Sequence, residues 1–133
     1  MSAIFLFRLD LKSGVPVYRQ LIDQVLVAIA SGQLNAGDQL PTVRQLAVDL
    51  SINPNTVMRA YKELEIRGML TTQQGTGTFI TGKKVKSDDA QRQKRLSQMV
   101  GEFVARVSSE GYTVEDIIER LNDLGSESGR RKV

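Results

Sequence analysis

Apolar positions recur at helical spacing in five stretches of this chain, and between the third and fourth two β-branched and apolar runs flank a turn with two glycines. The first stretch holds Tyr18, Leu21, Ile22, Val25, Ala28 and Ile29, opens at Pro16 and stops near Gly32, which predicts a helix of core scaffold. Ahead of it Phe5, Phe7, Leu9 and Leu11 alternate with other residues and predict a short strand before a Ser13-Gly14 turn.

The second stretch is announced by Thr42 with Gln45 three residues on, a capping box in which each side chain satisfies an otherwise orphaned backbone N–H. Val43, Leu46, Ala47 and Leu50 then form one stripe of a helix about two turns long, bounded by Pro41 and Ser51. In the third, Asn53 stands as N-cap with Pro54 at the first helical position, where a missing N–H costs nothing. Val57, Ala60, Tyr61 and Leu64 make its buried stripe, and Gly68 supplies the left-handed residue that ends it. The runs at residues 69–73 and 78–80, separated by Gln74-Gly75-Thr76-Gly77, predict a hairpin.

Two capped helices followed by a hairpin are the layout of a winged helix-turn-helix, a mainly α fold with one small β-hairpin. Opposite the stripe of its second helix lie Asn55, Arg59, Lys62 and Ile66. Asparagine pairs bidentately with the adenine edge and arginine with guanine O6 and N7, so Asn55 and Arg59 are the expected base readers. Lys62 is expected to meet phosphate, which positions a protein without reading sequence. Any surface helix shows such residues to water, but here the adjoining helix and hairpin favour nucleic acid. Backbone at Gly75 and Gly77 can approach a phosphate or a minor groove closely. A nucleotide-binding loop is disfavoured, because its glycines open a helix and these close a hairpin.

These residues carry a family resemblance. Leu40-Pro41-Thr42-x-Arg44-x-Leu46-Ala47, Thr56-Val57, Leu64-Glu65-x-x-Gly68-x-Leu70 and Gly75-x-Gly77-Thr78-Phe79 resemble the signature of the GntR family of bacterial transcription regulators, over roughly residues 15 to 80. Asn53-Pro54-Asn55-Thr56-Val57 and Ser13-Gly14-Val15-Pro16-Val17-Tyr18-x-Gln20 resemble its YtrA-type subgroup, whose members carry a short helical tail. The resemblance implies operator contacts from Arg44, from Asn55 and Thr56, and from the wing at Gly75, with Thr42, Asn53, Gln74, Thr76 and Gly77 beside them. Many relatives have arginines where this chain has Pro54 and Met58, which implies a different base readout with Arg59 as a replacement. Ser51 stands where a glycine is usual, which implies a strained turn.

Composition narrows the function. With 133 residues and 41% hydrophobic content there is room for one compact core and an appendage, without the large ligand-binding domain that many members of the family attach. A formal charge of +3 would not by itself point to a nucleic acid. Cysteine and histidine are both absent, which removes disulfides, thiol nucleophiles, imidazole bases and the commonest zinc ligands, so neither an enzyme nor a cofactor is expected. The run from Ile4 to Phe7 meets Arg8 and Asp10 too soon for a signal peptide, and a cytoplasmic protein without membrane contact follows.

Past the hairpin, Gly82-Lys83-Lys84-Val85-Lys86-Ser87 reads as a basic linker with Ser87 as a cap. The fourth stretch holds Leu96, Met99, Val100, Phe103, Val104 and Val107; Ser108-Ser109-Glu110-Gly111 breaks it. Thr113 then caps a last helix with Ile117, Ile118, Leu121 and Leu124 on one side. Two such helices lack neighbours enough to bury their faces, and either a second copy or the first domain must cover them. The YtrA-type resemblance favours a homodimer, with Leu96, Val100, Phe103, Val107, Ile117 and Leu121 as its expected contacts. Glu115, Glu119 and Asp123 read as a solvated acidic ridge rather than a metal site. The expected domains are a winged domain over 1–81, the linker at 82–87, a dimerisation tail over 88–124 and a disordered end at 125–133.

The resulting expectation is a homodimeric regulator, most simply a repressor, on double-stranded DNA with an inverted-repeat operator. A small-molecule effector stays open as a further partner. The alternative is a winged-helix module that binds protein and leaves its DNA surface idle; a carboxylate enzyme lacks any nucleophile and base pair that can be named.

Overall fold

A computed structural model describes residues 5–82 and 89–131, and divides the chain into two compact units, one built mainly on residues 1–83 and the other on residues 84–127. The first contains α1 (Val17–Ala30), β1 (Gln39–Leu40), α2 (Val43–Leu50), α3 (Pro54–Ile66), β2 (Leu70–Gln73) and β3 (Gly77–Ile80). The second contains α4 (Asp89–Ser108) and, as far as residue 127, α5 (Val114–Arg131). The expected linker residues 83–87, with the Ser87 cap, lie outside the described residues.

The core of the winged unit is the meeting of the stripes read from the sequence. Leu21, Ile22 and Val25 of α1, Leu40 of β1, and Val57 and Leu64 of α3 are its largest fully buried side chains. Each such side chain contributes on the order of 1.5–3 kcal/mol by leaving water. Leu46 and Ala47 of α2, Leu70 of β2 and Ile80 of β3 close the cluster. Pro16 takes the N-cap position of α1 rather than its first helical position, with extended backbone at φ −54° and ψ 143°.

The alternation at Phe5, Phe7 and Leu9 is real, yet no strand forms there. Phe7 is buried, Phe5 and Leu9 pack beside it, and Leu11 is 79% exposed. The arm has no strand to pair with; glutamine side chains of α1 take that part. Gln24 accepts from the Arg8 N–H at 2.9 Å and donates to the Arg8 carbonyl at 2.6 Å. One turn earlier Gln20 accepts from the Asp10 N–H at 2.8 Å and donates to the Asp10 and Val15 carbonyls, each at 2.9 Å. Residues four apart share a helix face, so both amides line one side of α1 and satisfy the arm's backbone as a ladder would.

The expected hairpin is one part of a three-stranded antiparallel sheet in the order β1-β3-β2. Leu70 pairs with Ile80 and Gln73 with Gly77, while the two-residue β1 sets Gln39 against Phe79 and Leu40 against Thr78. Two residues carry no periodicity, and β1 exists because the finished β3 edge offers it partners.

In the helical unit none of α4 is buried. Val104, Val107 and Ile117 are half-buried, whereas Phe103 is 45% and Leu121 56% exposed. Thr113 caps α5 reciprocally with Asp116: its hydroxyl accepts from the Asp116 N–H at 3.2 Å, and the Asp116 carboxylate accepts from the Thr113 N–H at 2.9 Å. Asp123 of the acidic ridge accepts from Arg120 at 3.3 Å. The α5 backbone is helical through Arg131. Gly125 and Gly129 each cost about 1 kcal/mol in a helix. An existing helix pays only for propagation, and no proline stops this one. Among the described residues no helix is long and apolar enough to cross a membrane.

Candidate nucleic-acid interface

Three local devices aim α3. At the start of α2 the Thr42 hydroxyl accepts from the Gln45 N–H and the Gln45 amide accepts from the Thr42 N–H, both at 3.0 Å. At the start of α3 the Asn53 carboxamide oxygen accepts from the Asn55 N–H at 2.8 Å, with Pro54 at the first helical position. Between the helices Ser51 adopts φ 56° and ψ 46°, the one left-handed residue other than glycine among those described. That turn bears the strain expected of a side chain where glycine is usual. Thr42 and Asn53 are thereby occupied as caps.

Tyr61 locks the pair of helices from inside. Buried within α3, its hydroxyl donates to the Pro41 carbonyl just before α2 at 2.7 Å. Burial pushes the phenol pKa well up, because the phenolate would lose its hydration.

With Val57, Ala60, Tyr61 and Leu64 turned inward, Asn55, Arg59 and Lys62 are exposed in one row, and Thr56 is half-buried beside them. Asn55 and Lys62 project freely. The Arg59 guanidinium instead lies over the Tyr18 ring of α1, 3.7 Å from its centroid. Arg44 is exposed on α2. The sequence reading treats Tyr18 as one more member of the α1 stripe and misses this contact; an aromatic residue at that spacing gives no separate signal.

The wing tip is Gln74-Gly75-Thr76, all three exposed. Gly75 has φ +83° and open space around it, so the tip backbone is accessible. Thr76 closes the turn, its N–H donating to the Gln73 carbonyl at 3.0 Å and its hydroxyl to the same oxygen at 3.1 Å. Gln39 of β1, also missed from the sequence, donates its amide to the Thr76 carbonyl at 3.0 Å. Gly77 has φ +131°, and a Cβ there would overlap that amide. The wing is therefore braced from the side by a strand too short to be legible.

A short capped helix, a tight turn, a second helix with an outward polar row and a braced hairpin define the protein as a winged helix-turn-helix. Residues 17–80 match the family model described as bacterial regulatory proteins, gntR family. The chain is 35% identical over 110 residues to the uncharacterized HTH-type transcriptional regulator YhcF of Bacillus subtilis strain 168, covering 83% of this chain and 90% of that one. With the HTH-type transcriptional repressor YtrA of the same organism it shares 30% identity over 122 residues, 92% of this chain and 94% of the relative. The solved structure of YtrA from Sulfolobus acidocaldarius, a GntR-family transcription factor, superimposes with a TM-score of 0.57 at 31% identity, covering 76% of this chain and 99% of that one. The chain belongs to the GntR family of DNA-binding transcription regulators and is similar to its YtrA-type members.

Proposed function

We propose that this regulator is a cytoplasmic repressor that binds an inverted-repeat operator as a homodimer. The observation that carries this reading is the outward row on α3, with Asn55 free to pair with a base edge and Lys62 free to meet phosphate. Helix α3 lies in the major groove, where residues near its N-terminus reach the bases. Arg44 and the wing backbone at Gly75 grip phosphates on either side; Thr42, Asn53, Thr56, Gln74, Thr76 and Gly77 shape those contacts.

Support for the dimer comes from the helical unit. Phe103, Val107, Ile117, Leu121 and Leu124 line an open groove of about 590 Å³, and the apolar face continues along α4 through Val100 and Leu96. A monomer would leave this surface in water. A second copy covering it brings two winged units to one two-fold axis, which calls for half-sites about one helical turn, or a multiple of it, apart. The relative YtrA is named a repressor, and occlusion of a promoter by the bound dimer is the corresponding mechanism here.

Selection of duplexes from a randomised library by the full chain tests this reading. The expected winners carry an inverted repeat, resist nonspecific competitor and bind two chains per duplex. Winners without two-fold symmetry refute the dimeric operator complex, and absence of any enriched sequence refutes specific DNA binding.

A further inference from the structure

We propose that Tyr18 and Arg59 together form a clamp for one backbone phosphate on the wall of the groove that α3 enters. The proposal rests on the operator-binding reading above and gives Arg59 a different task from the base reading that its position on the helix suggests. The Cζ atom of the guanidinium lies over the aromatic ring, 3.7 Å from its centroid. A cation over a ring is held by the π face and gives up none of its N–H donors to a conventional hydrogen bond. Among the described residues no protein group hydrogen-bonds to Arg59 or to the Tyr18 hydroxyl, and no carboxylate pairs with the guanidinium. A fork of donors and a phenol O–H thus sit together with no acceptor. Phosphate, with several anionic oxygens, matches that set.

Placement decides between phosphate and base. A helix with its side chains is about 10–12 Å across, and the major groove is about 12 Å wide. A side chain tethered to a neighbouring helix therefore lies beyond the width of α3 itself, where the groove meets its phosphate walls. Asn55 has no such tether. The contact also fixes the arginine before DNA arrives, so little of its rotamer entropy remains to be lost on binding.

The test replaces operator phosphates one at a time by uncharged methylphosphonates and measures binding of full-length variants to a duplex recovered by selection. Wild type should lose about tenfold at one phosphate per half-site, as expected for a charge-assisted hydrogen-bonded contact. Arg59→Ala should bind specific and nonspecific duplexes more weakly, keep its base preferences, be indifferent to that one replacement and show a salt slope lower by about one. Tyr18→Leu should lose most of the same sensitivity. Tyr18→Phe keeps the ring and should keep the sensitivity, binding a few-fold more weakly for want of the hydroxyl. Relaxed preference at one base pair in Arg59→Ala, with every methylphosphonate effect intact, would make Arg59 a base reader and overturn the clamp. Wild-type sensitivity in Tyr18→Leu would overturn the part given to Tyr18. Failure of the wild-type chain to select any duplex would instead strike the DNA-binding reading itself.

Discussion

The hydroxyl of Tyr61, inside α3, donates to the carbonyl of Pro41 at the start of α2, and this one bond of 2.7 Å ties the angle between the two helices to the core. Nothing else polar from the buried stripe of α3 reaches α2. Removing the hydroxyl with Tyr61→Phe should cost about 0.5–1.5 kcal/mol at neutral pH, measured by denaturant unfolding.

The same residue predicts a pH response. Its folded-state pKa lies above the ordinary value of about 10. Below that value both states hold the proton and the contribution is fully present. As pH rises past about 10 the unfolded chain releases its proton first, so the native state binds more protons and stability falls. Unfolding titrations should show a loss above about pH 10 that is smaller in Tyr61→Phe; equal slopes in the two proteins would contradict it.

Ser51, at φ 56°, should be better as glycine. A left-handed residue with a Cβ costs about 1–2 kcal/mol, and the added freedom of glycine in the unfolded chain returns part of that. Ser51→Gly should stabilise the protein by roughly 0.5–1 kcal/mol and raise Tm by a few degrees. Operator affinity should not change, since the turn geometry is already present in the wild type.

Asn55 and Arg44 should separate by the kind of loss they cause. Asn55→Ala should cost about 1–3 kcal/mol at one operator base pair and relax specificity there. Arg44→Ala should weaken specific and nonspecific duplexes alike and lower the salt slope by about one. An Arg44 variant affected at a single base pair only would be a reader instead.

Phe103, 45% exposed on α4, stands in the middle of the proposed dimer surface. Phe103→Glu should give a monomer by light scattering whose winged unit still folds, because that unit has its own core. Operator affinity should drop by more than tenfold, as two half-sites no longer share one binding event. A wild-type chain that is monomeric at micromolar concentration would contradict the dimer.

Local chemistry was enough to read most of the winged unit. The capping box at Thr42 and Gln45, the Asn53-Pro54 start and the stripe through Val57, Ala60, Tyr61 and Leu64 act between residues three or four apart, so their spacing is written in the chain. The outward row of Asn55, Arg59 and Lys62 followed from the same geometry. Long-range partners were not legible. The Phe5 to Leu11 segment alternates like a strand, but only the fold decides that its backbone pairs with Gln20 and Gln24 of α1 rather than with another strand. Gln39 has meaning only where β3 runs past it, and Tyr18 looks like any core aromatic until α1 and α3 lie side by side and bring Arg59 over its ring. The sequence by itself determined which stretches are helical and, in the winged unit, which face of each helix is buried and where α2 and α3 begin. Tertiary structure decided what the remaining polar groups bond to, since a hydrogen bond between residues 16 or 37 positions apart depends on packing that no local period records.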